Sequence, residues 1–278
     1  MPAFDTPGPL SVTLEFDLGT VRVTAGKRTD TVVEVRPTDG ARDVDVRAAE
    51  QTKVSCSGGK LLVKGPKKRS PFGKCGSLDV TVELPAGSDV HGDSPMADFL
   101  CEGRFGELRI TTSLGDIHVD EADTVYLKTS LGAVRAGRVA GDAEVYGAGR
   151  IDLGEIAGDT KVKNANGETT VGEVSGELRA NASNGRISVG VAHAGVDART
   201  SLGDIRIGEV ARGKVSLRTA AGDLDVGIRE TSAAWLDVHT GVGAVRNSLG
   251  SSEGPGGSAE TVEVHAGTGV GNVLIHRA

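Results

Sequence analysis

The sequence predicts an all-β repeat fold: a β-solenoid, or single-stranded parallel β-helix, with about 18 residues per coil. Apolar residues keep fixed places around a recurring glycine, and no proline, which would break strand pairing, occurs between Pro95 and Pro255. The recurring glycines, called tip glycines below, are spaced 17 to 21 residues apart except for a last step of 28: Gly115, Gly132, Gly149, Gly167, Gly185, Gly203, Gly222, Gly243 and Gly271.

Apolar residues alternate with polar ones on both sides of each tip. Around Gly203 the apolar positions are Val196 and Ala198 before the tip, and Ile205 and Ile207 after it. This period of two predicts one strand before and one strand after every tip glycine. A unit of this length cannot bury its own apolar face, so we expect neighbouring units to stack and share one inner core.

An antiparallel β-sandwich made of hairpin repeats is the alternative architecture. The Leu-Gly-Asp strings at the tips are also compatible with hairpin turns. The nearly equal unit lengths and the constant character of equivalent positions favour the solenoid.

The two parts of the chain differ in regularity. Residues 1–105 hold eight of the nine prolines and all three cysteines, and we interpret them as an irregular N-terminal cap with degenerate coils. Residues 106–278 carry the regular repeats, with a flexible insert at 247–260 before one more strand pair. Within the cap we predict an early coil at Leu10–Ala25 with its tip at Gly19, strands at Thr31–Arg36 and Leu78–Leu84, a short helix at Asp43–Thr52 and a hairpin at Ser55–Lys64.

Three strings of the chain resemble a known family. They are Thr-Ser-Leu-Gly-Asp-Ile at 112–117 and 200–205, Ala-Asn-Gly-Glu at 165–168, and Glu-Leu-Pro-Ala-Gly-Ser-Asp-Val at 83–90. Together they resemble the bacterial β-strand-repeat family labelled "putative adhesin", a domain of unknown function. The resemblance covers nearly the whole chain and implies a β-solenoid-like fold. It implies no reaction, because the family has no catalytic motif to carry over.

Composition and charge narrow the classes of function. The net charge of −7 and the pI of about 5.4 argue against general nucleic-acid binding. No run of 18 apolar residues predicts a transmembrane helix, and the N-terminal sequence lacks the pattern of a signal peptide, so we expect a cytoplasmic protein. Three cysteines, an odd number, argue against a disulfide framework.

One basic loop opposes the overall acidity and is the candidate interaction patch. It could contact an acidic partner, a phosphate or a membrane surface, and a solvated loop is the simpler interpretation. Its residues are Lys64, Lys67, Lys68, Arg69, Phe72 and Lys74.

Three rows of polar residues at the tips invite a chemical interpretation. Acidic residues follow four of the tip glycines, threonine or asparagine precedes six of the first eight by three positions, and His239 and His265 occupy similar places in two late units. A stacked carboxylate row could bind metal, but turn chemistry also explains aspartate after glycine. An outward threonine row could indicate an ice-binding solenoid, but inward threonine ladders that join coils by hydrogen bonds are more common. The acidic residues are Asp116, Glu168, Asp204 and Asp223, and the others are Thr112, Thr129, Asn164, Thr200, Thr219 and Thr240.

The sequence therefore predicts a non-enzymatic β-solenoid that acts as a scaffold or protein-interaction module, with no catalytic, cofactor or metal site. We expect the partner to be another protein, and the coils of two molecules could stack end to end. The alternatives are a β-helix that binds or cleaves carbohydrate, and an adhesin. The low aromatic content, 3%, disfavours sugar stacking.

Overall fold

The computed structural model describes residues 2–66, 75–250 and 260–278. The chain divides into two compact units, Met1–Ala140 and Gly141–Ala278, called unit 1 and unit 2 below. This division is based on which residues contact each other, and it falls inside the regular repeats. The boundary expected near residue 105 is based on where the sequence becomes regular, and it stays a prediction. Of the predicted 247–260 insert, residues 251–259 lie outside the described residues.

The described residues form 24 strands and one helix. Unit 1 contains β1 (Ala3–Asp5), β2 (Ser11–Glu15), β3 (Leu18–Gly26), β4 (Asp30–Pro37), α1 (Asp43–Gln51), β5 (Lys53–Ser57), β6 (Lys60–Lys64), β7 (Leu78–Pro85), β8 (Asp89–Leu114), β9 (Ile117–Leu131) and β10 (Val134–Val139). Unit 2 contains β11 (Ala143–Gly147), β12 (Ile151–Ile156), β13 (Thr160–Asn166), β14 (Thr169–Val174), β15 (Leu178–Asn184), β16 (Ile187–Ala192), β17 (Val196–Leu202), β18 (Ile205–Val210), β19 (Gly213–Ala221), β20 (Leu224–Ile228), β21 (Ser232–Val242), β22 (Val245–Asn247), β23 (Glu260–Val270) and β24 (Val273–Arg277).

Strands pair with their equivalents one coil away. β17 pairs in parallel with β15 and β19, while β18 pairs in parallel with β16 and β20. Each coil thus gives one strand to each of two parallel sheets, and the tip glycine marks the step between them. Every strand pairing among the described residues of unit 2 is parallel. The predicted parallel solenoid is confirmed, and the antiparallel hairpin alternative is wrong.

The inner core is a column of small and medium apolar side chains. In the coil around Gly203, Val196, Ala198, Ile205 and Ile207 are all buried, as the alternation predicts. Burial of one such aliphatic side chain contributes roughly 1.5–3 kcal/mol. Because the same positions are apolar in each coil, the column continues along each unit.

The N-terminal cap consists of antiparallel strands and the helix. β4 pairs antiparallel with β7 and β1, β5 forms an antiparallel hairpin with β6, and α1 contacts β4 and β7. The predicted helix, both strands, the hairpin and the early coil with Gly19 at its tip are all confirmed.

Near the start and the end of the chain, the coils do not stack in sequence order. The β2–β3 coil lies between the β6–β7 coil and β8, and the β23–β24 coil lies between the β19–β20 coil and the β21–β22 coil. The sequence indicated one more strand pair after the insert but not this order. Val264, Ala266, Val273 and Ile275 fill the inward positions of the β23–β24 coil and are fully buried. The more apolar coil therefore takes the interior place.

The tip glycines allow the coils to approach closely. Gly222 has a φ of +149°, and a Cβ added there would lie 2.1 Å from the carbonyl oxygen of Gly203 in the next coil. Likewise, a Cβ added at Gly271 would lie 2.0 Å from the carbonyl oxygen of Gly222. A side chain at either position would push neighbouring coils apart and would also strain the backbone.

We expect Gly222→Ala to lower the free energy of unfolding by about 2–4 kcal/mol, because strain and steric overlap add. Chemical denaturation measures this change. Gly40→Ala is the control, since a Cβ at Gly40 meets nothing within 4 Å; its effect should stay within about 0.5 kcal/mol. Equal effects of the two substitutions would contradict the stacking role of the tip glycine.

The three cysteines are thiols that differ in exposure. Cys56 and Cys75 are half-buried, whereas Cys101 is fully buried in β8. Burial, together with the nearby charge of Asp120, raises the pKa of the Cys101 thiol to about 12. Cys101 therefore stays protonated at neutral pH, and the thiolate is the reactive form.

We expect a disulfide-exchange reagent at pH 8 to titrate two thiols in the folded protein and the third only after unfolding. Absorbance of the released chromophore measures the count. A Cys101→Val variant should show the same two thiols and no third. Fast reaction of all three native thiols would contradict the burial of Cys101.

Candidate functional site

The predicted basic patch is described at one residue only. Lys64 ends β6, and its Nζ lies 2.6 Å from the Glu15 carboxylate of the adjacent parallel strand β2. This ion pair joins two coils. The remaining patch residues lie outside the described residues: Lys67, Lys68, Arg69, Phe72 and Lys74.

The threonines three positions before the tips point inward and join coils. Thr219 Oγ1 donates to the carbonyl oxygen of Gly203 at 3.0 Å, and Thr129 Oγ1 donates to that of Gly115 at 3.0 Å. Asn164 Nδ2 does the same toward Gly149 at 2.9 Å. The structural interpretation of this row is confirmed. Thr268, which the sequence analysis missed, extends it by donating to Gly222 at 2.9 Å.

The acidic residues after the tips also serve as structural acceptors. Asp204 Oδ1 accepts the backbone N–H of Asp223 at 3.0 Å, and Asp223 Oδ1 accepts that of Asn272 at 2.7 Å. In unit 1, Asp98 accepts from the backbone of Asp116 at 2.8 Å. Each carboxylate thus caps the tip of the next coil. Aspartate follows glycine here because a short side chain with an acceptor oxygen is needed to reach the backbone N–H of the neighbouring tip.

A groove of about 450 Å³ lies on the outer face of unit 2 beside the tips. Charges of both signs line it, and most are already paired with each other. Arg186 lies 3.1 Å from Asp204, and Asp225 is contacted by Arg206 at 3.4 Å and by His276 at 3.0 Å.

The two candidate histidines do not share a site. His265 is opposite Asp237, and His239 is opposite Gly267. The His265 ring contacts Asp237 at 3.3 Å and Glu263 at 2.5 Å. The hydrogen bond between His265 and Glu263 lowers the pKa of the Glu263 carboxyl. Over the described part of the chain, no group of three or more His, Cys, Asp or Glu residues could hold a metal ion.

An exposed apolar row runs along the tips and was not identified from the sequence. In unit 2 it consists of the residues directly before four tip glycines, which are neighbours in the strand register: Leu202, Ala221, Val270 and Val242. Leu202, Val270 and Val242 are 56%, 55% and 67% exposed. We call these four residues the tip ridge. Leucine or valine recurs before the tips in the sequence, but the alternation that places Val196, Ala198 and Thr200 inward predicts an inward position there as well. Only the structure shows that the chain turns at the tip and exposes this position.

The comparisons with known proteins agree with the fold. The family model Toastrack DUF4097 matches residues 11–277, so the chain belongs to this family, whose function is unknown. The predicted family resemblance is thereby confirmed. No functionally curated protein matches the sequence. No helix among the described residues is long and apolar enough to cross a membrane.

The solved structures that match this chain include three bacterial proteins. A "putative adhesin" from Bacteroides fragilis NCTC 9343 is 11% identical with a TM-score of 0.42, covering 99% of this chain and 95% of that one. A "putative cell adhesion protein" from Clostridium sporogenes ATCC 15579 is 13% identical with a TM-score of 0.22, covering 100% and 98%. A "putative adhesin" from Parabacteroides merdae ATCC 43184 is 9% identical with a TM-score of 0.26, covering 100% and 95%.

We expect Thr219→Val to lower the free energy of unfolding by about 1–2 kcal/mol, because the buried Gly203 carbonyl loses its hydroxyl donor. Urea denaturation measures the loss. Thr20→Val is the matched control: Thr20 is also a strand threonine, but its side chain is exposed, so the change should stay within about 0.5 kcal/mol. A loss as large at Thr20 would contradict the role of the ladder.

Proposed function

We propose that this protein is a non-enzymatic scaffold that binds a partner protein along the tip ridge of unit 2. The observation that carries the proposal is the row of four ridge residues on consecutive stacked coils, three of which, Leu202, Val270 and Val242, are exposed. Contiguous exposed apolar side chains mark interaction sites in soluble proteins.

The stacked coils suit such a ridge for binding. Neighbouring strands are about 4.8 Å apart, so the four ridge residues form a nearly continuous apolar edge. The backbone beneath them is held by the tip hydrogen bonds, for example from Gly222 N–H to the Val270 carbonyl at 2.9 Å and from Gly271 N–H to the Val242 carbonyl at 2.9 Å. A rigid edge loses little conformational entropy when a partner docks.

The charges beside the ridge favour a polypeptide as the partner. The groove near it presents Arg186, Arg206 and Arg246 together with Asp204, Asp223 and Asp225. A surface with both signs of charge complements the mixed side chains of a protein segment, whereas a nucleic acid needs a predominantly basic surface. Leu274, which is also exposed, lies among these charges and adds an apolar contact.

We propose no catalytic role for the groove carboxylates, because each already has a structural partner. Asp204 and Asp223 accept backbone hydrogen bonds from the next coil, and Asp225 is held by His276 and Arg206. A general acid or base needs a carboxylate that is available to the substrate. The half-exposed Cys56 and Cys75 are present as thiols, which fits a reducing compartment, so we propose that the interaction takes place in the cytoplasm.

The test is affinity capture from the soluble fraction of the native host with three baits: wild type, Leu202→Asp/Val270→Asp, and Leu131→Asp. Leu131 is the matched control because it also precedes a tip glycine and is 60% exposed, but lies in unit 1. We expect a stoichiometric protein retained by wild type and control, and lost with the double variant.

The captured protein is then purified and its direct binding is measured by calorimetry. We expect the double variant to weaken binding at least about tenfold, since charged groups replace two apolar contacts. Binding that is equal for all three baits would contradict the ridge. Turnover of a glycan by the purified protein, lost on substitution of one groove aspartate, would contradict the non-enzymatic assignment.

A further inference from the structure

One end of unit 2 is open. The last coil in the stack is formed by β21 and β22, and among the described residues β21 pairs only with β23 and β22 only with β24. The inward residues Leu236 and Val238 are only half-buried, and Val245 is 43% exposed. Their equivalents one coil deeper, Val264, Ala266 and Val273, are fully buried. Within the described residues, the apolar column therefore ends uncovered at this coil.

The backbone at this end is also available. The outer edge of β21 has no strand beside it within the described residues, so its N–H and C=O groups can pair with another strand. Unit 1 differs in this respect. There the outermost β6–β7 coil is covered by antiparallel β4 and β5, with α1 packed against β4 and β7. An end that lacks such a cap can be closed by another open end of the same kind.

The residues of β21 are self-complementary when two copies of the strand run antiparallel. With Val238 on the two-fold axis, Asp237 of each copy lies opposite His239 of the other, and Trp235 lies opposite Gly241. Leu236 then lies opposite Thr240, so apolar positions stay on the inner face. A two-fold axis at Asp237 would place the Asp237 carboxylates of the two copies opposite each other, which is unfavourable. The register centred on Val238 thus matches charge, size and face together.

We propose that two copies of this chain form a two-fold dimer in which their β21 strands pair antiparallel and the open ends of their cores close each other. The dimer buries Leu236, Val238 and Val245, which a single chain leaves uncovered. Of the tip ridge only Val242 belongs to β21, whereas Leu202 and Val270 lie on other coils, so the Leu202→Asp/Val270→Asp variant leaves the paired strands unchanged. An isologous contact of this kind closes at two chains and does not continue into fibres.

The experiment is sedimentation velocity on the full chain over a wide concentration range. We expect a species of twice the 28.4 kDa chain mass that dissociates on dilution. Trp235, which is 58% exposed and the sole tryptophan of the sequence, gives a second readout. Its emission should shift to shorter wavelength with the same concentration midpoint.

Charge-swap variants test the register. Asp237→Lys and His239→Glu should each weaken the dimer about tenfold or more, because each places like or mismatched charges across the axis twice. The double variant Asp237→Lys/His239→Glu restores opposite charges and should recover the dimer. The Asp237→Lys variant and the double variant both lose the contact of Asp237 with His265, so recovery in the double variant reports on the contact between chains.

Leu131→Lys is the control for a charge placed on an exposed apolar position of unit 1, and it should leave the dimer unchanged. Circular dichroism confirms that each variant is folded. A single-chain mass at every concentration would overturn the proposal. A dimer that neither Asp237→Lys nor His239→Glu weakens would also overturn it. So would a double variant that dimerises no more tightly than the two single variants.

Discussion

The close contact between backbone and backbone at the coil tips is the constraint on which the rest of the structure depends. At Gly222 and Gly271 the carbonyl oxygen of the neighbouring tip occupies the space of a Cβ. Only glycine satisfies both this contact and the positive φ that turns the chain from one sheet to the other. With the tips in contact, the strands on both sides lie at pairing distance and the inward side chains meet.

The polar residues around the tips follow from the same contact. Tightly stacked backbones leave carbonyl and amide groups at the tips that the strand ladders do not satisfy, and buried groups of this kind need partners. Thr219 and Thr268 donate to the carbonyls from the inside, while Asp204 and Asp223 accept from the amides on the outside. Rows of carboxylates and hydroxyls that resemble a binding site in sequence are therefore part of the framework. The exposed residues that remain unexplained by it, the tip ridge and the β21 edge, are the places where we locate interaction.

The order of the coils gives the two ends of the chain a related arrangement. The first coil in sequence, β2–β3, and the last, β23–β24, both lie one place in from the end of their stack. Segments near chain termini fray when nothing holds them, and pairing on both sides prevents this. The consequence differs between the units. In unit 1 antiparallel strands and α1 cover the outermost coil, while in unit 2 the weakly apolar β21–β22 coil is left as the edge.

The sequence by itself determined the repeat, the strand positions, the inward residues and the elements of the cap. Each of these depends on a local signal: a tip glycine, an alternation such as Val196 to Ile207, or the Gly58–Gly59 turn of the β5–β6 hairpin. It also predicted the structural role of the threonine row. Only the tertiary structure decided which coils are neighbours, which partners Arg186 and the two histidines take, and that the residues before the tips form a ridge. These features depend on groups in other coils, such as Asp223 and Asn272, which lie 49 positions apart. Coils of equal period can stack in several orders with identical local geometry. The order adopted here places Val264 and Ile275 in the interior coil and Leu236 and Val245 in the end coil, because complete burial of the first pair stabilises the fold more.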